Sequence, residues 1–406
     1  MHVRPARRQF QVMAAVVAVV GLAACGSSAK SGSSTSGSTG AGQAGSPTTS
    51  AATSSSNPGS SNLGSSDPAA SNPSAVAAAA TTKKYTASPT AFPVSVPLPH
   101  PFPAGKTFGY LQCGAPVCAQ QAVLIGQAMK VVHGRLIVAK GGASTQQLQS
   151  AMSSLLAQKP DGLVIPSVSP DSIAPQLAQA RAAGIPITAG FQDIAKYHVP
   201  ATAFGRSHDL LVGRLLADWV GANKGPKANI VFYTTPELDI SAPEEEAFRA
   251  EISKVCSACS VRAVKVPIAT YGSSAPSLVV SDLQAHPKTT IAVFAANDAA
   301  TGLAAAMKSA GLTTPYIGNA PTASNLQDIR SGRQAAGLGV DFHVGAWEFV
   351  DELLRLIEKA PLSAAETQGL VPVRWVTASN LTGDVSQGFY AYPDYVSRFT
   401  KLWTGQ

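Results

Sequence analysis

Hydrophobic and polar positions follow two alternating patterns from about residue 104 onward. Short continuous apolar runs, such as residues 108–112 and 162–166, predict strands that are buried on both faces. Between these runs, apolar residues recur three and four positions apart, which predicts amphipathic helices. The clearest helix follows Ser144 and Gln147, which have the spacing of a capping box, and its apolar positions are Leu148, Ala151, Met152, Leu155 and Leu156.

This alternation of strand and helix occurs twice along the chain. The first series ends with a strand at 185–191, and the second begins with a short strand near 202–204 and a helix marked by Leu211, Leu215 and Trp219. The alternation predicts the α/β class, with parallel sheets covered by helices. We therefore expect two Rossmann-like units in tandem. Because ligands bind beyond the carboxyl ends of such strands, two facing sheets would share one cleft.

Residues 1–24 have the pattern of an export signal. Arg4, Arg7 and Arg8 precede an apolar segment that is too short to span a bilayer. Cys25 then follows Leu-Ala-Ala and resembles the lipidated cysteine of a bacterial lipobox. We therefore predict a signal peptide and a lipid anchor, with palmitate expected, on Cys25; a buried structural cysteine is the alternative. The paired arginines also resemble a twin-arginine signal, so the export route stays open.

Residues 25–103 are predicted to form a disordered linker that starts at the lipidated cysteine. Between 26 and 82 the only charged residues are Lys30 and Asp67, and Gly and Ser are abundant, so this part cannot build a core. Prolines then crowd residues 89–103, which predicts a stiffer, extended spacer. A coil of roughly 78 residues reaches about 50 Å, which would hold a folded body just outside a membrane.

Composition limits the functions of that body. The chain has 30 Lys and Arg against 23 Asp and Glu, and removing the three signal arginines leaves 27 − 23 = +4 for the mature protein. A mild positive balance without basic clusters argues against nucleic-acid binding. About 300 residues remain, enough for two domains. No further run of about 18 apolar residues occurs, so no transmembrane helix is predicted.

Besides Cys25, the cysteines form two close pairs, Cys113 with Cys118 and Cys256 with Cys259. Four thiols allow three pairings, and export favours oxidation. We predict the two local disulfides because short loops cost least to close. Half a zinc site at the second pair needs another Cys/His pair, which the sequence lacks. A catalytic redox pair is the remaining alternative. No metal site and no cofactor are predicted.

Three motifs carry a family resemblance. They are Asp-Gly-Leu-Val-Ile-Pro at 161–166, Ala-Ala-Gly-Ile-Pro-Ile at 182–187, and Ala-Val-Phe-Ala-Ala-Asn-Asp at 292–298, with Gly302 behind the last. Together with the order of elements from 106 to 378, they resemble the type I solute-binding proteins, the ribose-binding-like receptors of bacterial ABC importers. The resemblance implies two lobes that close around a small ligand by a hinge motion and then dock on a permease.

The resemblance also implies a hinge of three crossovers, near Arg206, Asp341 and Val373. These crossovers give the expected division of the chain into lobes. The N-terminal lobe is expected to comprise residues 104–206 and 342–372, and the C-terminal lobe with the tail residues 207–341 and 373–406.

The ribose-type sugar site, carried over residue by residue, is mostly replaced in this chain. Phe191 and Gln192 stand where the family has an Asp-Arg pair, Glu244 replaces an arginine, and Ala320 replaces an aspartate. Asn297 matches the family pattern. Sugar hydroxyls need carboxylate, amide and guanidinium partners in a dry cleft, because each unpaired polar group there costs about 1 to 3 kcal/mol. The replacements argue against a standard free hexose.

The ligand-binding set predicted from the sequence consists of polar and aromatic side chains near strand ends. Val117 and Cys118 align with the two aromatics that enclose a pyranose in the family. Asn297 and Asp298 could instead cap the next helix, and Glu244 could face a helix dipole. The predicted ligand-binding residues are Gln112, Gln120, Phe191, Gln192, Tyr271, Asn297, Asn319 and Asp341.

Motifs of common enzyme classes are missing from the sequence. Gly105-Lys106-Thr107 lacks the first glycine of a phosphate loop, and neither a Gly-x-Ser-x-Gly elbow nor a His-Glu-x-x-His helix occurs. We therefore predict no enzymatic activity. The sequence favours a monomeric, lipid-anchored protein on the outer face of the cell membrane that delivers a small polar, sugar-like ligand to an ABC permease. A ligand-sensing receptor coupled to a membrane signalling protein, or an exported enzyme, is the alternative.

Overall fold

A computed structural model describes residues 73–142, 144–190, 193–200 and 202–405. The predicted signal peptide, Cys25 and much of the predicted linker lie outside these residues, and so do Phe191 and Gln192. The helices are α1 (Pro73–Thr86), α2 (Pro116–Val131), α3 (Thr145–Ala157), α4 (Ala174–Ala182), α5 (Arg206–Asn223), α6 (Ser241–Val255), α7 (Ala275–Ala285), α8 (Leu303–Ser309), α9 (Ala323–Arg330), α10 (Phe342–Glu358), α11 (Ala364–Gln368) and α12 (Tyr395–Thr404). The strands are β1 (Thr107–Cys113), β2 (Arg135–Gly142), β3 (Gly162–Ile165), β4 (Ile187–Ala189), β5 (Asn229–Thr234), β6 (Ser260–Lys265), β7 (Ile291–Phe294), β8 (Tyr316–Asn319), β9 (Ala336–Val340) and β10 (Val373–Val376).

The first sheet, which we assign with its helices to the N-terminal lobe, has the strand order β2-β1-β3-β4 and only parallel pairings. Every residue of strand β3 is buried, which explains why its sequence is apolar throughout. Helix α10 contacts β3, β4 and α2. The predicted capping box is confirmed at α3, where the side chains of Ser144 and Gln147 each accept the other's backbone N–H.

The second sheet, the centre of the C-terminal lobe, has the strand order β10-β9-β8-β7-β5-β6. Five of these strands run parallel, and β10 pairs antiparallel with β9 at the edge. Helices α5 and α6 pack closely because Gly213 has no side chain: a Cβ there would lie 2.2 Å from the Glu244 carbonyl oxygen. Cys256 and Cys259 form the predicted disulfide at the end of α6.

The chain crosses between the two sheets three times, from β4 to α5, from β9 to α10, and from α11 to β10. The predicted class, α/β with two Rossmann-like lobes and a three-crossover hinge, is thereby confirmed. One detail differs, because β10 adds an antiparallel strand to a sheet that was expected to be parallel.

The structure corrects the strand predicted near 202–204. These residues form a bend at the first crossover. Phe204 has φ of 59°, in the left-handed region, which a β-strand does not allow. Its ring fills the space over Gly345 on α10, where a Cβ would lie 2.3 Å from the Phe204 Cζ atom. The strained backbone of Phe204 thus places an aromatic ring in the hinge.

From Pro73 onward the structure also corrects the predicted disordered linker. Helix α1 packs on α5 and β10, and Val94, Leu98 and Phe102 in the proline-rich segment are buried. Backbone N–H groups of Leu98 and Phe102 donate to carbonyls of α12 near the end of the chain. The scattered apolar residues of this segment therefore have a core to join, which is formed by elements far away in sequence. Within the described residues, no helix is long and apolar enough to span a membrane.

Candidate ligand-binding site between the lobes

A cavity lies between the two sheets, at the carboxyl ends of β1, β3, β7, β8 and β9. The space open to the centres of water molecules is about 60 Å³. Both lobes and the hinge line it, as expected for open α/β units. The lining residues are Cys113, Val117, Cys118, Gln121, Pro166, Ser167, Phe204, His208, Asp209, Leu238, Ile240, Ala295, Ala296, Asn297, Asp298, Asn319, Ala320, Val340 and Phe342.

Direct contacts between the lobes hold the cavity closed. The backbone N–H of Val117, at the start of α2, donates to Oδ2 of Asp298 over 3.4 Å. Val168, after β3, forms an antiparallel bridge with Leu238, after β5, and both side chains are buried. Because each contact joins residues of different lobes, opening the hinge would break both.

Asp298 is the carboxylate at the centre of these contacts. It follows β7 and is buried, and its Oδ1 atom has no hydrogen-bond partner among the described residues. Burial raises the pKa of Asp298 to about 6, although the Val117 N–H lowers that pKa in part. Near neutral pH the site therefore holds a carboxylate whose charge is poorly compensated.

A second acidic side chain, Glu244 on α6, lies behind the lining. The amide Nδ2 of Asn319 donates to its Oε1 atom over 2.8 Å. Glu244 is fully buried, and burial, with a further contribution from the charge of Asp209, holds its pKa well above the usual range. Neither Oε2 of Glu244 nor Oδ1 of Asn319 has a hydrogen-bond partner within the described part of the chain.

Asn297 is held by a reciprocal amide pair. Its Nδ2 donates to Oε1 of Gln334 over 3.3 Å, and Nε2 of Gln334 donates back to Oδ1 over 3.0 Å. Gly318 makes room for this arrangement, because a Cβ there would lie 2.0 Å from Oδ1 of Asn297. Asn297 and Asp298 do not cap α8, whose first turn begins after Gly302.

His208, on the first turn of α5, supplies a neutral imidazole to the lining. Its Nδ1 atom accepts the backbone N–H of Val371 over 3.4 Å, and its ring meets the ring of Phe204 edge to face. Burial lowers the pKa of His208 to about 4, so the ring is uncharged at neutral pH.

The predicted disulfide between Cys113 and Cys118 forms the wall of the cavity on the side of the N-terminal lobe. The hydroxyl of Tyr110, in β1, donates to the Cys118 carbonyl over 2.9 Å and lies 3.1 Å from Oε1 of Gln121. The strand, the disulfide and the start of α2 therefore fix the position of Gln121.

The structure brings two of the predicted ligand-binding residues, Asn297 and Asn319, into the lining of this cavity. Gln120 points to the C-terminal segment, where its Nε2 donates to the Gln387 carbonyl over 2.7 Å. Tyr271 bonds through its hydroxyl to Thr235 in the C-terminal lobe. Gln112, which is half-buried on β1, is not among the lining residues.

Asp341 lies at the predicted crossover near the start of α10 and not in the lining of this cavity. Its Oδ1 accepts the backbone N–H groups of His343 and Val344, and its Oδ2 accepts that of Ala391. Both oxygens are therefore used to cap α10 and to hold the C-terminal segment at the hinge. Asp341 is buried and does not line the cavity.

Several polar lining residues were missed by reasoning from the sequence. Gln121 is adjacent to the predicted Gln120 but lies on the buried face of α2. From the sequence a helix-capping role is open for Asp298, although it follows a strand end as Asn297 does. Ser167, His208 and Asp209 follow β3 or begin α5, and the rule that ligands sit beyond strand ends would have found Ser167.

A family model and several solved structures resemble this chain. Residues 118–361 match the model for a periplasmic binding protein domain. No curated protein matches the chain. Solved structures with the same fold include an ABC sugar transporter subunit from Rhodobacter sphaeroides, with 17% identity, a TM-score of 0.60, and coverage of 68% of this chain and 99% of that one.

Two further structures were solved with bound ligands. A solute-binding protein from Agrobacterium vitis with bound allitol has 19% identity and a TM-score of 0.59, covering 68% of this chain and 97% of that one. A 5-methylthioribose transporter solute-binding protein from Thermotoga lettingae has 16% identity and a TM-score of 0.61. The match covers 76% of this chain and 99% of that one. At these identities the likeness shows the fold alone.

Proposed function

This chain belongs to the periplasmic binding protein family, and on that premise we propose that it captures a small polar ligand between its lobes and delivers it to the permease of an ABC importer. Capture takes place in the cavity lined by Val117, Asn297, Asp298 and Asn319. Delivery is proposed to occur on the outer face of the cytoplasmic membrane, where the protein acts as a monomer.

One observation carries the proposal: the cavity is lined from both lobes and is closed by contacts that opening would break. A ligand shifts a hinge equilibrium only through contacts that differ between the open and closed states. Residues from the ends of β1 and β3 face residues from the ends of β7 and β8, so a bound ligand would touch both lobes at once. Ligand occupancy and lobe closure are thus coupled.

The solved relatives support a ligand of modest size and high polarity. Two of them were solved with allitol and 5-methylthioribose. The ligand of this chain is expected to differ, because Phe191, Gln192, Glu244 and Ala320 replace the residues that bind sugars in the ribose-type pattern.

We further propose that Cys25 carries the lipid anchor. Three arginines and a short apolar segment precede it, and the Gly/Ser-rich composition behind it suits a tether. An anchor would keep the receptor near its permease and raise its effective concentration there. Cys25→Ala should move the protein from the membrane fraction to the soluble extracellular fraction. Unchanged membrane association in this variant would contradict the anchor.

Ligand capture can be tested by thermal denaturation of residues 73–406 against a broad panel of sugars, polyols, nucleosides, amines and small aromatics. A ligand at 100 times its Kd stabilises the folded state by about 2.7 kcal/mol. Ala296→Leu places three extra carbons in the cavity and should abolish the shift, whereas Ala305→Leu, on the exposed side of α8, should preserve it.

Two results would contradict capture at this site. One is a panel in which no compound raises the melting temperature. The other is a ligand whose shift survives Ala296→Leu unchanged. Delivery is tested separately, by uptake of the labelled ligand into cells with and without this protein. Binding without any effect on uptake would leave a receptor that does not serve an importer.

A further inference from the structure

We infer that the cavity between the lobes selects a small ligand carrying a protonated amine, and that Oδ1 of Asp298 and Oδ1 of Asn319 accept its N–H groups. This inference rests on the proposed function, because it names the ligand class of the same cleft. The argument depends on which hydrogen-bonding groups of the lining are used within the protein and which are open.

In the lining and directly behind it, the open buried atoms are acceptors. Asp298 and Asn319 line the cavity, and Glu244 lies behind them; Oδ1 of Asp298, Oδ1 of Asn319 and Oε2 of Glu244 are each buried without a partner among the described residues. A buried carboxyl can reduce its penalty by taking up a proton, but an amide oxygen cannot. Oδ1 of Asn319 therefore needs a donor that the described residues do not supply.

The Asn319 amide is held at its other end. Nδ2 donates to Oε1 of Glu244 over 2.8 Å, and in this orientation the amide oxygen is the atom that remains open. Other N–H donors of the lining are also used: Nδ2 of Asn297 by Gln334, and the N–H of Val117 by Asp298. Beside the open acceptors of Asp298 and Asn319, these two neighbouring N–H donors are thus already engaged.

The charge of the lining points in the same direction. Asp209 and Asp298 line the cavity and Glu244 lies behind it, whereas no lysine or arginine is among the lining residues. The imidazole of His208 faces the cavity as a neutral ring. A buried carboxylate without a cation is costly, and a ligand that brings a cation offsets that cost.

An ammonium group fits this set better than hydroxyl groups do. It carries three donors, no acceptor and a positive charge, whereas each hydroxyl also presents lone pairs that need donors. The body of the ligand is expected to be small, because only about 60 Å³ is open to the centres of water molecules and apolar side chains such as Leu238, Ile240 and Phe342 form part of the wall.

The test compares matched pairs in which one amine replaces one hydroxyl. Isothermal titration at pH 7 would use glucosamine against glucose, ethanolamine against ethylene glycol, and 1,4-diaminobutane against 1,4-butanediol. We expect at least one amine to bind at least tenfold more tightly than its hydroxyl partner. Asp298→Asn should weaken that amine at least tenfold, and so should Asn319→Leu, which keeps a similar shape but removes the acceptor together with the Nδ2 donor to Glu244.

Asp384→Asn is the control, because Asp384 is exposed and bonds only locally to Ser386. It should bind the amine as the unchanged protein does. Circular dichroism and melting curves verify that Asp298→Asn and Asn319→Leu are folded, so that a loss of binding reports on the site.

The outcomes separate this inference from the proposed function. A hydroxyl compound that binds as tightly as its amine partner overturns the amine inference and leaves ligand capture standing. If no amine binds, the amine inference is also overturned, and capture then depends on the broad panel alone. An amine whose affinity is the same in Asp298→Asn and Asn319→Leu overturns the assigned acceptors.

Discussion

Two aspartates, Asp351 on α10 and Asp298 at the cleft, are both buried, but they differ in their hydrogen-bond and ion-pair partners. Oδ2 of Asp351 accepts Nε of Arg355, and its Oδ1 accepts the indole N–H of Trp403. Asp298 has a single bond of 3.4 Å on one oxygen and no partner for the other among the described residues. Among the described residues, one carboxylate has a cationic partner and the other has none.

The residues around Asp351, which we name the Arg355 cluster, are Asp351, Arg355, Glu366 and Trp403. Besides the bond to Asp351, the guanidinium of Arg355 donates to the carbonyls of Val96 and Pro361, and Glu366 lies 3.6 Å from it. Burial raises the pKa of Glu366 to about 8, so this carboxyl is mostly neutral at pH 7. The cluster therefore ties the N-terminal segment, α10, α11 and α12 together.

The comparison separates a structural cluster of buried charge from a binding site. A buried ion pair that contains its own cation needs nothing from outside, and removing one member is costly. A cleft with open acceptors and no cation retains a cost until a ligand supplies the missing group. Three substitutions test this contrast, from the largest expected effect to the smallest.

Arg355→Met should destabilise the protein by about 3 to 5 kcal/mol, because it leaves Asp351 buried without its cation. The free energy of unfolding from urea denaturation measures this loss. Arg333→Met is a matched control: Arg333 also bonds an aspartate, Asp328, but its side chain is 52% exposed. The control should cost about 1 kcal/mol or less. Equal losses in the two variants would remove the distinction between the buried cluster and a surface pair.

Asp298→Asn should have the opposite effect and stabilise the ligand-free protein above pH 7. The folded pKa of about 6 lies above the usual value of 3.8. The unfolded chain therefore ionises first as the pH rises, and the folded state carries a penalty that is complete above pH 6. A shift of this size corresponds to roughly 3 kcal/mol, less the lost bond to Val117.

This gain should shrink as the pH falls from 6 towards 4, because the folded aspartate takes up its proton near pH 6 whereas the unfolded one does so only near 3.8. Denaturation of the two proteins across pH 4 to 8 measures the difference between them. Asp351→Asn provides the contrast, because it removes the partner of a buried arginine and should destabilise at pH 8. A loss of stability in Asp298→Asn at pH 8 would mean that the cleft already satisfies its carboxylate.

The sequence predicted the fold because strand and helix patterns are local properties. Asn297 and Asn319, which lie in the cavity lining, both stand at the carboxyl ends of strands, and the sequence pattern indicates those positions. Asp341 stands at such an end too, yet α10 begins directly after it, so the same position becomes a helix cap. Pattern alone does not tell these two situations apart.

Other features depend on residues that are distant in sequence. From the sequence, Val96 and Leu98 are predicted to belong to a linker. In the structure the carbonyl of Val96 accepts from Arg355, and the N–H of Leu98 donates to the carbonyl of Leu402. The open oxygen of Asn319 follows from the position of Glu244 on another element. Such pairings arise only once the lobes are packed, and a single sequence gives no signal for them.

Val117→Lys should make the cleft resemble the Arg355 cluster by giving Asp298 a cation within the chain. Val117 lines the cavity, and its backbone already bonds Asp298. An adjacent ammonium lowers the pKa of a carboxyl by about 1 to 3 units. The pH dependence attributed to Asp298 should therefore weaken, with a gain of about 1 kcal/mol at pH 8, and amine binding should fall because its place is taken.

Val123→Lys controls for the added charge, because Val123 lies on the same helix and is 62% exposed. It should leave both the pH dependence and ligand binding unchanged. Equilibrium denaturation at pH 5 and pH 8, with titration of the amine, measures both properties in each variant. If Val117→Lys still binds the amine with full affinity, the cleft has a second place for a cation, and the contrast between the two aspartates is weaker than the contacts indicate.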